Sequence, residues 1–152
     1  MTKTPWNKNK AVGQKKGFTV EEVELIRRCL IASNKTMELA LLNVALDTHL
    51  KAKSITVLKV SNIMDYKGNI FDHILNRQIT SETKEWLFKW INEAGKHQGD
   101  WLFNPRLKGG GYKTTTLTRS TYANIIKEWC VKYLEIDPKN YSTESLRNSR
   151  FK

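Results

Sequence analysis

The sequence predicts one α+β domain, mainly helical, with a single small antiparallel β-hairpin. Three observations carry that expectation. Four stretches repeat apolar residues at helical spacing, most of them behind a residue suited to cap a helix. Two short strand-like runs flank the turn Asp65-Tyr66-Lys67-Gly68-Asn69. The length of 152 residues and the hydrophobic content of 39% suit one modest core.

Residues 2–16 hold five lysines and no acid, so they cannot bury enough surface to fold alone and read as a basic arm. We set the arm at 1–17 and the folded domain at 18–152. The first helix starts at Phe18-Thr19, where Thr19 can cap, Glu22 can reach back as the third-position acid, and Phe18 can staple onto Val23. Val23, Ile26 and Leu30 continue its stripe. Ser33-Asn34-Lys35 then separates it from residues 37–49, which are apolar on most sides and therefore expected at the centre of the core. A basic corner leads into a short helix or turn, and residues 61–64 and 70–74 are the expected strands of the hairpin. Thr80 caps the next helix, residues 82–94, with Leu87, Trp90, Ile91 and Ala94 along one side. Trp101-Leu102-Phe103 reads as a short buried run. Three consecutive glycines at 109–111 carry a high ordering cost and mark a mobile loop. A helix over 118–134 turns Tyr122, Ile125, Ile126, Trp129 and Tyr133 inward. Asp137-Pro138 breaks the chain before Tyr141-Ser-Thr-Glu-Ser-Leu-Arg147, the start of a last helix.

The net charge of +11 and the isoelectric point near 9.7 point to a polyanionic partner such as nucleic acid. The charge comes in blocks: residues 105–134 hold six basic side chains against the single acid Glu128. Cys29 and Cys130 sit among apolar neighbours and read as reduced buried thiols, which fits the cytoplasm. His49, His73 and His97 are too scattered for a metal site, and we expect neither metal nor cofactor. No apolar run approaches a membrane-spanning length, so no membrane association is expected.

The order of these elements and several motifs resemble the catalytic domain of the tyrosine recombinase, or phage integrase, family. Leu42-Asn-Val-Ala-Leu-Asp-Thr-His-Leu-Lys-Ala-Lys-Ser-Ile-Thr-Val-Leu-Lys-Val-Ser-Asn-Ile63 is similar to the family's first box, a helix followed by Thr-Gly-Leu-Arg and Leu-x-x-x-Asp-Ile. Trp101-Leu-Phe103 matches its short strand, and Tyr141-Ser-Thr-Glu-Ser-Leu-Arg147 resembles the His-x-Leu-Arg box. The opening Pro5-Trp-Asn-Lys-Asn-Lys-Ala-Val-Gly-Gln-Lys15 is similar to the start of short bacterial members.

The resemblance implies cutting and rejoining of DNA through a phosphotyrosine, without metal or cofactor. Two guanidiniums must hold the phosphate oxygens while a lysine and histidines manage protons. Carried over by position, Arg147 agrees with the pattern. Lys51 stands at the first arginine, Ser54 at its supporting acid, Glu144 at the first histidine, and Lys67 at the turn lysine. Lysine keeps charge but loses the two-pronged fork of arginine. The chain stops five residues after Arg147, before the family's tyrosine segment, and is therefore expected to be a degenerate catalytic domain, incomplete at its C-terminus.

The expected function is thus double-stranded DNA binding in DNA recombination or integration, without autonomous cleavage. The phosphate contacts are assigned to Lys8, Lys10, Lys15, Lys16, Lys51, Lys53, Lys113, Arg119, Arg147 and Arg150. Two alternatives stay open: a recombinase subunit completed in trans by a partner's tyrosine helix, and a nonenzymatic remnant that pairs with itself or with full-length recombinases.

Overall fold

The computed structural model describes residues 15–149, and the statements below concern these residues. Lys8, Lys10 and Arg150 lie outside them. Helix α1 (Val20–Ala32) begins as its sequence requires: the Thr19 hydroxyl accepts from the Glu22 amide at 3.1 Å, and the Glu22 carboxylate accepts from the Thr19 amide at 2.9 Å. Phe18 is buried, and its ring stacks on Tyr141 at 5.0 Å, so this residue also ties the start of the domain to its far end.

Helix α2 (Thr36–Thr48) is the axis of the fold. Every residue of it except Asp47 is buried, including the polar Glu38, Asn43 and Thr48. Helix α4 (Ser81–Ala94) packs along it and presents Leu87, Trp90 and Ile91, with Thr80 as its cap. Asp47 fastens the two helices: its Oδ2 accepts from the Thr80 amide, the Thr80 hydroxyl and the Thr83 hydroxyl at 2.8, 3.0 and 2.6 Å. Between them lies the short helix α3 (Ala52–Ile55).

The one antiparallel sheet is real, but it sits one turn later than the sequence suggests. Residues 60–62 form a 3-10 turn rather than a strand, and Met64 and Ile70 make a single bridge across the Asp65 turn. The sheet is β1 (His73–Ile74) against β2 (Arg77–Gln78), joined through Leu75 and Asn76, both at positive φ. Trp101 bridges to Lys59, the Leu102 amide donates to the Leu58 carbonyl, and Leu102 and Phe103 are fully buried.

Residues 105–113 close into a turn, with Arg106 bridged to Tyr112 and the Lys113 amide donating to the Pro105 carbonyl at 2.8 Å. Gly110 and Gly111 take φ of 108° and 78°, which side-chain-bearing residues rarely adopt. The ordering cost is offset because Tyr112 packs edge-on against Trp90 at 4.9 Å and Arg106 binds Glu38. Helix α5 (Arg119–Trp129) runs on into a π-helical turn over Cys130–Leu134, and α6 (Thr143–Arg147) follows. Cys130 is buried and Cys29 half-buried, both as free thiols. Burial, with Glu22 nearby, pushes the Cys130 thiol up to about 11.

Candidate nucleic-acid interface

Three helix ends meet on one face. Helix α2 ends at His49, a left-handed residue (φ 54°) that turns the chain sharply toward Lys51, the residue that starts α3. Thr118 caps α5 by accepting from the Thr121 amide at 3.1 Å, which leaves Arg119 at the first helical position. Ser142 starts α6 by accepting from the Glu144 amide at 3.2 Å, and α6 ends on Arg147.

Between them lies an open groove of roughly 560 Å³, lined by Lys51, Ala52, Lys53, Arg119, Ser142, Thr143, Glu144 and Arg147. Four cations and two hydroxyl side chains therefore surround one carboxylate. Lys51, Lys53 and Arg119 are exposed and Arg147 is half-buried. Among the described residues none of these four cations is tied up in a salt bridge. Such a cluster repels itself unless a polyanion occupies it, and its positive potential draws one in. Arg119 at a helix N-terminus is further disfavoured by the helix dipole, so a negative ligand relieves a second cost there.

The structure brings together the sequence-predicted Lys51, Lys53, Arg119, Glu144 and Arg147. Lys67 and Lys113 do not line the groove: Lys67 sits at the tip of the Asp65 turn, and Lys113 lines a separate hollow beside Trp90 and Lys96. At the end of the expected arm, the Lys15 ammonium donates to the Lys139 carbonyl at 3.1 Å and the Lys16 amide to the Asn140 carbonyl at 3.0 Å. Gly17 lies so close to the end of α6 that an added Cβ would stand 2.6 Å from the Asn148 carbonyl oxygen.

One placement read from the sequence changes. Arg147 is in the last turn of α6 rather than near the start of a longer helix, so the dipole favours it there. At the end of α2, Arg77 donates to the Thr48 carbonyl at 3.1 Å. Glu144 does sit in the first turn of α6, where the dipole stabilises its charge. Sequence reasoning missed Arg77 and His49. Only the αL demand of a Thr-Gly-Leu-Arg-like corner, filled here by His49, could have flagged the second.

No tyrosine lines the groove. Tyr122 is wholly enclosed, and burial holds its phenol far above the ordinary value. Burial likewise raises Tyr112, Tyr133 and Tyr141, the last stacked under Phe18. Tyr66 stands exposed in the Asp65 turn.

Two solved structures share this architecture. XerA recombinase superposes with a TM-score of 0.65 at 17% identity, over 88% of this chain and 48% of its own. XerH site-specific recombinase, solved bound to its difH substrate as a pre-cleavage complex, gives 0.61 at 16% identity, over 90% of this chain and 41% of its own. The chain has the recombinase catalytic-domain fold. It spans about half the length of the recombinases it matches, and at this identity the likeness concerns fold alone. No protein-family model and no curated protein matches the sequence. Among the described residues of this recombinase fold, no helix is long and apolar enough to cross a membrane, and no group of three or more His, Cys, Asp or Glu could hold a metal ion.

Proposed function

We propose that this chain binds double-stranded DNA through the groove between α3, α5 and α6, in the service of DNA recombination in the cytoplasm, and does not break strands by itself. The observation that carries the reading is the convergence of Lys51, Lys53, Arg119 and Arg147 on one open surface. Guanidiniums grip phosphate oxygens in pairs, ammonium groups add point charge, and the Ser142 and Thr143 hydroxyls can donate beside them. The shared fold with XerH, whose structure holds a DNA substrate, makes a duplex the natural occupant.

The same groove argues against cleavage. A phosphotyrosine route needs a phenol near the phosphorus and two forked cations around its oxygens. Here no tyrosine reaches the groove, Lys51 stands where the resemblance places an arginine, and Glu144 sets negative charge beside the phosphate. Duplex affinity measured against salt tests the binding. A steep linear fall of log affinity with log salt is expected, and a flat response excludes phosphate contact. Incubation with a nicked duplex tests the rest: the pure chain should leave no covalent protein-DNA adduct. An adduct that forms only with a tyrosine-bearing recombinase present would assign this chain to a shared active site.

A further inference from the structure

Arg147 is the groove's half-buried cation, and it is held by a reciprocal pair of hydrogen bonds. Its Nε donates to the His49 carbonyl at 3.2 Å, while Nδ1 of His49 lies 3.1 Å from the Arg147 carbonyl. A carbonyl can only accept, so Nδ1 carries the proton in this contact. The two residues are 98 positions apart, and the pair fastens the end of α2 to the end of α6.

Resting on the reading of the groove as a DNA phosphate site, we propose that His49 is a positioning residue that sets Arg147 for that phosphate. Three features support this. The bond to the backbone carbonyl uses Nε of the guanidinium, and no other described residue engages the two Nη groups, which stay available to a ligand. The ring bond fixes the Arg147 backbone, and the His49 carbonyl holds its side chain. The cost of holding His49 at positive φ, where glycine or asparagine is the usual occupant, goes to a residue whose side chain makes a specific contact. Glycine would serve the turn as well but could not hold Arg147 from the ring side. A guanidinium already oriented gives up less rotamer freedom on binding, worth roughly three- to tenfold in affinity.

The test measures affinity and salt slope for a fluorescent mixed-sequence duplex with four proteins: wild type, His49→Gly, Arg147→Ala and the double variant, with His49→Asn as rescue. Glycine keeps the left-handed turn and the carbonyl acceptor while deleting the ring. Asparagine tolerates the same φ and puts its amide nitrogen where Nδ1 stands. His49→Gly should weaken binding by roughly three- to tenfold, measured on the folded fraction. It should have no further effect when Arg147 is already alanine, and His49→Asn should bind like wild type. Equal losses in both Arg147 backgrounds would overturn the proposal, since His49 would then act on something other than Arg147. So would full affinity in His49→Gly while Arg147→Ala binds poorly, which would leave the groove reading standing. An Arg147→Ala protein that binds as wild type would overturn both together.

Discussion

Two centres in this molecule are built on charge, and they handle it in opposite ways. Around Glu38, a carboxylate buried in the central helix accepts from Trp129 Nε1 at 2.8 Å and from Arg106 Nη2 at 2.8 Å, so that both oxygens are occupied by the protein itself. Arg106 is held above its ordinary range by its bond to Glu38. In the groove, four cations stand in one surface with little to neutralise them but Glu144. A buried charge must be satisfied internally or it unfolds the protein, whereas an exposed cluster of one sign persists because a partner completes it. The first centre is therefore structural, and the second is the proposed ligand site.

The largest expected effect separates them directly. Glu38→Ala removes the acceptor of a buried indole and leaves a cavity against α5, and should cost on the order of 3 kcal/mol of stability. Urea unfolding would register it, and duplex affinity measured on the folded fraction should not change. If instead stability held and DNA binding fell, the division between the two centres would be wrong. The groove should behave in reverse. Arg147→Ala or Arg119→Ala should weaken duplex binding by about tenfold and lower the salt slope by about 0.9, one phosphate contact each. The Arg119→Ala midpoint should stay near that of the wild type, while Arg147→Ala should fall slightly, because it also loses the bond to the His49 carbonyl.

Glu144 offers a smaller effect of opposite sign. Its carboxylate sits among the cations at the mouth of the groove and repels any phosphate that enters. Glu144→Gln should raise affinity by roughly two- to fivefold at low salt, the scale of a solvent-exposed charge pair. The gain should fade as salt rises toward physiological strength. A loss of affinity would mean that the carboxylate receives a proton or a hydrogen bond from the ligand.

Helices α1, α4 and α5 were legible because they carry their own punctuation. Thr19 with Glu22, Thr80 and Thr118 are local signals that no tertiary contact overrides, and the apolar circumference of 37–48 announced a central helix. The sheet was misplaced because the Asp65 turn has ideal turn chemistry, while the actual hairpin turns through Leu75-Asn76. Leucine at φ 48° gives no warning in a sequence. The closure of the glycine turn was not legible for a related reason: what holds it is Trp90 against Tyr112 and Glu38 against Arg106, contacts across 22 and 68 positions. In the groove, the charge blocks and the family-like boxes pointed to Lys51, Glu144 and Arg147. The role of His49 was invisible because it depends on two backbone carbonyls brought together from distant segments.

The smallest expected effect concerns the basic residues that the fold leaves out of the groove. Lys67 projects from the Asp65 turn and Lys113 from the glycine turn, both exposed to solvent. Neither lines the groove, and salt screens exposed charges over about 8 Å at physiological strength. Lys67→Ala and Lys113→Ala should therefore each change duplex affinity by less than about twofold, with salt slopes unaltered within error. A loss at Lys113 as large as that at Arg147 would mean that the duplex runs on over the glycine turn. The contrast between a confined site and a merely basic surface would then fail at that edge. A loss at Lys67 alone would carry a different meaning, because the resemblance places the turn lysine there. It would show the Asp65 turn reaching the DNA once a duplex is bound, and the groove would be one half of a site that closes on its ligand.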